Sequence, residues 1–264
     1  MRFLILTILF LTACVPAQET STFSPNLSAP SRWNPIVFPV TMKLAPNFNT
    51  ADRNSIIDAG DSWSDSIQGQ IDFFDFPSGQ ASTNSFQNLS SYLDNEMGVY
   101  LSPSWYDELP ANALAITQIY GYRKQIGTPN EFVEIFHADI ILNNDSYDFS
   151  SDFAPGTYDL GTVVLHEMGH FIGLYHVNDP FIDTVMYPSV TRSTIYTAPY
   201  AHDADNLDNL YSLSSSSSAL TFSNALQSSI PQQDGPVVPV TIHIELYPDG
   251  KCFHRVDGKV VHQH

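Results

Sequence analysis

The stretch HEMGHFIGLYH, which begins at His166, constrains this chain more than any other part of its sequence. Asp159 precedes the apolar run LGTVVLHEMGHFIG as a helix N-cap residue does, so a helix is predicted to begin there. His166 and His170 are four residues apart and therefore lie on one face of that helix. Gly173 is able to end the helix in a left-handed turn, which brings His176 back toward the first two histidines.

Three imidazoles at one point bind a small divalent cation. Three protein nitrogens with a fourth position left open are typical of catalytic rather than structural zinc. Glu167 follows the first histidine and projects to the side of the pair, where it is placed to take a proton from a metal-bound water. The alternative is a helix whose surface histidines bind nothing. We favour zinc, because Gly173 and His176 complete a pattern that two histidines and a glutamate alone leave weak.

Ten residues after His176, the sequence HVNDPFIDTVMYPSV reaches Met186, which Tyr187 and Pro188 follow. A long histidine motif followed by such a methionine resembles the metzincin zinc peptidases. The short interval and the Met-Tyr-Pro sequence most resemble the matrixins, the matrix metalloproteinase family. The resemblance extends over roughly residues 33–213 and implies that the three histidines of the motif bind one catalytic Zn²⁺.

The resemblance also implies a fold and an activity. The fold is α+β and zincin-like: a twisted mixed β-sheet, an active-site helix and a C-terminal helix. The activity is that of a zinc-dependent endopeptidase in which Glu167 is the general base for a zinc-bound water. Met186 then lies beneath the zinc ligands as a Met-turn, and Tyr187 and Pro188 line the wall of the substrate pocket. A protein or peptide substrate lies extended along the edge segment 113–121.

Some positions depart from the matrixin pattern. Val177 follows the third histidine, where matrixins usually have Ser or Thr. The sequence Pro188-Ser189-Val190 lacks the tyrosine that commonly lines the matrixin specificity wall, which leaves the pocket size open. The loop LSPSWYDELPANA contains no histidine, so we expect the second, structural zinc of the animal enzymes to be absent and interpret His137 as a strand residue. Asp203, in the closing helix, loosely matches the acidic residue that supports the family's Met-turn.

Because matrixins commonly hold structural calcium, the loop NNDSYDFSSD is a candidate Ca²⁺ site. Its carboxylates at Asp145, Asp148 and Asp152 offer the hard oxygen ligands that calcium prefers. The alternative is a polar loop without a metal.

The N-terminal sequence MRFLILTILFLTAC indicates export. One basic residue is followed by an apolar run that is too short to span a bilayer but typical of a secretory signal. Its last four residues, which end at Cys14, resemble the lipobox of bacterial lipoproteins. We therefore predict a signal peptide over 1–13, lipidation of Cys14, and a Ser-, Thr- and Pro-rich tether over 14–32 that anchors the protein to the outer membrane or cell surface. Cleavage of an ordinary signal, followed by secretion, is the alternative.

Composition narrows the classes of partner. The chain of 264 residues has 10 Lys and Arg against 28 Asp and Glu, a net charge of −18. Such a surface repels phosphate backbones and anionic headgroups, so we expect that the protein binds no nucleic acid and contacts the membrane through its lipid alone. We also expect it to be a monomer. The second cysteine, Cys252, has no partner when Cys14 is lipidated, which excludes a disulfide framework. With only a short tether before the body, we expect no propeptide with a cysteine switch, and any latency has another cause.

The chain divides into a body and a small extension. The predicted catalytic domain covers 33–213, a Ser-rich linker covers 214–236, and 237–264 forms a β-meander with two Asp-Gly turns. Such a meander is too small to be stable alone, so we expect it to pack on the body or on a partner. We interpret its histidines as solvated rather than as a second metal site; they are His243, His254, His262 and His264.

The sequence thus predicts a lipid-anchored, extracytoplasmic zinc endopeptidase. A surface lipoprotein that keeps the fold as a binding or adhesion module, without turnover, is the alternative from another class. A hydrolase of non-protein amides is a lesser one. The presence of Glu167 favours the enzyme, because a binding module has no need of a general base.

Overall fold

The computed structural model describes residues 29–212, 238–248 and 253–263. Cys14, the Ser-rich linker and Cys252, on which several predictions rest, lie outside the described residues. Among the helices of the described ranges, none is long and apolar enough to cross a membrane.

A mixed sheet of nine strands forms the main layer. Its strands are β1 (Ser31–Trp33), β2 (Val40–Leu44), β3 (Phe74–Asp75), β4 (Met97–Ser102), β5 (Ala115–Lys124), β6 (Phe132–Asn143), β9 (Val238–Leu246), β10 (Phe253–Val256) and β11 (Lys259–Gln263). The order is β11-β10-β9-β5-β6-β4-β2-β3, with β1 also on β6. Strands β7 (Phe149–Ser150) and β8 (Tyr158–Asp159) form a separate parallel pair.

Strand directions divide this sheet into two parts. From β6 through β4 and β2 to β3 the neighbours are parallel, and β1 is also parallel to β6. From β6 through β5 and β9 to β11 they are antiparallel. With three α-helices added, this mixed arrangement confirms the predicted α+β class.

The helices are α1 (Thr50–Ser66), α2 (Leu160–Phe171) and α3 (Ala201–Tyr211). Helix α1 is capped by Asn49, although Thr50, its first residue, is also of a type that caps helices. The Asn49 side chain accepts from the backbone N–H of Asp52 at 3.1 Å, and Oδ2 of Asp52 accepts from the Asn49 N–H at 3.2 Å. This reciprocal capping box satisfies two backbone donors that a threonine one position later would leave open.

Helix α2 lies at the centre of the molecule. Its predicted cap is present: Oδ2 of Asp159 accepts from the backbone N–H of Thr162 at 2.8 Å. All of its residues except Gly161 are buried, which an apolar helix packed on several sides requires. Trp63 of α1 holds one side of helix α2, since its indole N–H donates to the Leu165 carbonyl at 2.9 Å. At the other end, the Trp33 indole donates to the Phe171 carbonyl at 2.7 Å.

The C-terminal extension continues the main sheet. Strand β9 pairs antiparallel with β5 from Val238 opposite Arg123 to Leu246 opposite Ala115. Strands β10 and β11 follow as an antiparallel meander. The edge segment 113–121, which the matrixin resemblance assigns to a substrate, is therefore covered by the chain's own β9.

Candidate metal centre

The three histidines of the motif meet at one point. The Nε2 atoms of His166 and His176 lie 2.9 Å apart, and Nε2 of His170 is 3.0 Å from each of them. Within the described ranges, they form the one group of three or more His, Cys, Asp or Glu side chains placed to hold a metal ion.

The other ring nitrogen of each histidine has a partner of its own. Nδ1 of His166 donates to the Val185 carbonyl at 2.7 Å, and Nδ1 of His170 donates to the Leu174 carbonyl at 2.8 Å. A neutral imidazole that donates from Nδ1 carries a lone pair on Nε2. The carbonyls therefore set the tautomer in which Nε2 binds a metal.

Burial keeps these rings neutral. It lowers the pKa of His166 to about 4, and burial together with the neighbouring His166 lowers the pKa of His170 well below its usual value. Two neutral rings whose Nε2 lone pairs converge at 3.0 Å have no proton to share, so they repel unless a cation lies between them. His176 adds a third nitrogen to the same point. Three imidazole nitrogens fit a zinc ion with an open fourth position.

The turn after α2 depends on Gly173. Its φ of +102° lies in the region that favours glycine, and a Cβ there would approach the Ser31 carbonyl oxygen to 2.2 Å. The Leu174 N–H donates back to the Gly169 carbonyl at 2.8 Å, so the chain reverses at once. The predicted role of Gly173 is confirmed, because this reversal brings His176 to the first two ligands.

Glu167 lies within the protein beside strand β5. Its side chain is fully buried, and Thr117 of β5 donates its hydroxyl to Oε2, with an oxygen–oxygen distance of 2.5 Å. Oε1 has no hydrogen-bond partner among the described residues. Burial raises the pKa of Glu167 to about 8, and the Thr117 hydrogen bond opposes that rise. A buried carboxyl group with one unpartnered oxygen is poised to exchange a proton.

Met186 packs directly beneath α2. A Cβ built on Gly169 would lie 2.3 Å from Sδ of Met186 and 2.9 Å from the Trp63 ring, so only glycine allows this contact. The Met186 carbonyl accepts from the Val177 N–H at 2.9 Å, which ties the Met-turn to the segment of the third ligand. Sequence reasoning missed Gly169, although a glycine between two histidines on one helix was the available signal.

Asp203 of α3 supports the Met-turn from below, as the loose family match implied. The carboxylate is fully buried and accepts from the Thr184 hydroxyl at 2.5 Å and from the Val185 N–H at 3.0 Å. It therefore fixes Val185, whose carbonyl orients His166.

The two residues of the proposed pocket wall, Tyr187 and Pro188, lie in different surroundings. Tyr187 is half-buried and lines a cavity of about 230 Å³ with residues that include Thr184 and Tyr196. Pro188 is buried, and Ser189 after it forms a parallel bridge with Tyr247 of the C-terminal extension. The wall segment therefore touches this chain's own C-terminal residues.

The candidate calcium ligands are not brought together. Asp145, Asp148 and Asp152 are exposed, and among the described side chains they form no metal-binding group of the kind that the histidines form. Calcium stays a prediction for this loop.

His254 is a functional neighbour that sequence reasoning misjudged. We expected a solvated side chain, yet it is 3% exposed and its Nε2 lies 3.0 Å from Nδ1 of His176. The expectation was wrong because strand β10 reaches the metal centre only through its pairing with β9, which itself pairs with β5. The register of those pairs is not visible in the alternation of apolar residues.

Comparison with known proteins agrees with this geometry. The matrixin model of the M10 peptidases matches residues 57–212, more than half of the 264 residues. A search of the curated proteins finds no match. The matched region contains the three histidines, Glu167 and Met186, whereas the C-terminal strands lie beyond it. The chain therefore belongs to the matrixin family of zinc metallopeptidases.

Proposed function

We propose that this matrixin is a zinc-dependent endopeptidase that hydrolyses peptide bonds of extracytoplasmic proteins or peptides. One observation carries the proposal: three convergent imidazole nitrogens on and after the helix whose Glu167 keeps an unpartnered, buried carboxyl oxygen. A binding module needs neither the open ligand position nor the base.

His166, His170 and His176 would hold the ion. A bound zinc ion supplies a Lewis acid that acidifies water and polarises a peptide carbonyl. Glu167 accepts a proton from the attacking water at Oε1 and later delivers it to the departing amine. The hydroxyl of Thr117 holds Oε2, which leaves Oε1 as the oxygen available to the reacting water.

The substrate would bind in an extended conformation. A peptide added to the edge of β5 gains backbone hydrogen bonds, which bind many sequences with little regard to side chain. Cleavage preference would then come from the segment after Met186, which faces the same groove through Ser189.

We also propose that the protein is exported and anchored through a lipid on Cys14. The signal-like sequence that ends at Cys14 supports this location. Metabolic labelling with a clickable fatty acid tests it: the parent is expected to be labelled in the membrane fraction, and Cys14→Ala to lose the label. Equal labelling of both forms would contradict the anchor.

The test of the activity is cleavage profiling of a proteome-derived peptide library by mass spectrometry. Because β9 lies along β5, the zinc-loaded full chain is compared with an Ile244→Asp form, in which a buried charge detaches β9. Each form is paired with its Glu167→Gln variant. Cuts that need both Glu167 and zinc support the peptidase. Absence of cuts from a folded, zinc-loaded chain with β9 detached would favour the binding or adhesion module.

A further inference from the structure

The C-terminal strand β9 occupies the edge that a peptide needs. Its residues face β5 throughout its length, and the Leu114 N–H donates to the Leu246 carbonyl at 2.8 Å. An antiparallel partner on this edge takes up the free backbone donors and acceptors of β5. A substrate that adds to β5 must therefore displace β9.

The same segment also contacts the opposite wall of the groove. Immediately after β9, Tyr247 pairs in a parallel bridge with Ser189, three residues after Met186. The chain at Leu246 and Tyr247 thus runs between two walls, antiparallel to β5 and parallel to the segment that follows the Met-turn. Both residues are buried, at 0% and 1% exposure.

Polar side chains of the extension satisfy one another. The carboxylate of Glu245 is fully buried and accepts from the Tyr247 hydroxyl and from Nε of Arg255, each at 2.6 Å. Ile242 and Ile244 are buried in the same core as the body's own strands. A segment that pairs along β5, shares the apolar core and leaves its own buried carboxylate satisfied is a specific ligand rather than a loose tail.

The extension reaches the metal centre itself. His254 of β10 lies with Nε2 3.0 Å from Nδ1 of His176, and its ring centre is 5.4 Å from that of Tyr175. His166, His170 and Glu167 are all 0% exposed in this arrangement. His176, the third ligand of the group, is partly buried and has His254 of the extension against its ring.

We propose that the C-terminal extension, through its described residues 238–248 and 253–263, is an intramolecular inhibitor that occupies the peptide groove and must be released before a substrate binds. The proposal rests on the proposed peptidase function. Competitor and groove belong to one chain, so the inhibition does not depend on protein concentration. A substrate binds only the molecules from which the extension is released. Its apparent affinity is therefore its intrinsic affinity multiplied by the fraction of released molecules.

Two full-chain variants test the proposal in opposite directions. Ile244→Asp places a charge at a fully buried position of β9 and is expected to release the extension. Tyr122→Cys with Pro239→Cys introduces cysteines at directly opposite positions of β5 and β9, and their disulfide locks the extension in place. Val260→Lys, at a 46% exposed position of β11, is the matched control for the first variant, and the single cysteine variants are the controls for the second.

Three measurements are made on each zinc-loaded protein. Hydrogen exchange of the β5 amides reports whether β9 is docked. Calorimetry measures the affinity for a leucine-containing peptide hydroxamate, which binds both a metal and the groove. Library cleavage reports the activity. Ile244→Asp is expected to show faster β5 exchange, and at least about tenfold tighter hydroxamate binding with faster cleavage. The oxidised double-cysteine form is expected to show slower β5 exchange, weaker hydroxamate binding and slower cleavage. Reduction of its disulfide is expected to restore all three.

The possible failures are distinguishable. Equal hydroxamate affinity with docked and released β9, as hydrogen exchange defines them, would overturn the inhibitor. If Ile244→Asp does not fold, equal affinity in the oxidised and reduced double-cysteine forms overturns it instead. Tighter hydroxamate binding on release, with no cleavage by any form, would overturn the peptidase and support the blocked groove.

Discussion

The Thr117 hydroxyl of strand β5 lies 2.5 Å from Oε2 of Glu167 on helix α2, and 3.0 Å from the backbone carbonyl of the same glutamate. This contact joins β5, the strand of the proposed peptide groove, to α2, the helix that carries His166 and His170 of the candidate metal centre. Among the described residues, the Thr117 hydrogen bond favours the ionised form of Glu167, against the burial that raises its pKa.

Replacing Thr117 with valine is expected to move the acidic limb of the activity profile. Loss of the hydroxyl removes a donor to the carboxylate, so the pKa of Glu167 rises further and the ionised base appears only at higher pH. The dependence of kcat/KM on pH, measured in the Ile244→Asp background, checks this. Thr117→Ser keeps the donor and serves as the control. An acidic limb at the same pH in all three proteins would show that the hydroxyl does not act on Glu167.

A methyl group at Gly169 is expected to destabilise the body although it lies in a helix. Alanine improves helix propensity over glycine by about 1 kcal/mol. The added Cβ, however, would lie 2.3 Å from Sδ of Met186. Overpacking costs about 1–3 kcal/mol, so we expect it to outweigh the gain in helix propensity. Urea unfolding of Gly169→Ala measures the difference. Gly79→Ala is the control, since its Cβ meets no atom of the described residues within 4 Å. A more stable Gly169→Ala protein would contradict this packing.

Removal of one metal-binding ring is expected to abolish zinc binding. His170→Ala leaves two imidazoles, which do not hold a tetrahedral ion as three do. Zinc content by mass spectrometry after dialysis against a weak chelator is expected to be about one ion per parent chain and close to none in the variant. His202→Ala, which lies on α3 outside the three-histidine group, serves as the control. Retention of zinc by His170→Ala would exclude the three-histidine site.

Acidification is expected to weaken the protein through His243 of β9. Burial, with Arg255 nearby, lowers the pKa of His243 to about 4 from its usual 6.5. Between these values the unfolded chain binds the proton and the folded chain does not, so stability present above pH 6.5 is lost as the pH falls toward 4. His243→Gln removes this contribution.

Urea unfolding at pH 7 and pH 5 checks the sign for His243. The parent is expected to lose about 1–2 kcal/mol more than His243→Gln between the two values. The metal ligands and the other histidines titrate in both proteins, so the difference isolates position 243. Equal losses in the two proteins would show that His243 titrates normally when folded.

Local sequence determined the metal centre. His166 and His170 share a helix face, Asp159 caps that helix, and Gly173 reverses the chain, so the positions of the first two ligands and the return of His176 follow from backbone rules within a short segment. The strands of the body have signals of the same local kind, because their β-branched and aromatic runs are bounded by Pro, Gly and Asn.

Only the tertiary structure decided what surrounds that centre. Thr117 meets Glu167, and His254 meets His176, across 50 and 78 residues of sequence. Strand β9 was predicted as part of a small meander that packs on the body or on a partner, because alternation defines its two faces but identifies neither its partner strand nor its register. The choice of β5 as partner depends on an unpaired strand edge and an apolar groove that exist only after the body has folded. The sequence by itself therefore determined which residues form the candidate metal centre, whereas the fold decided that β9 pairs with β5 and that His254 of β10 lies beside His176.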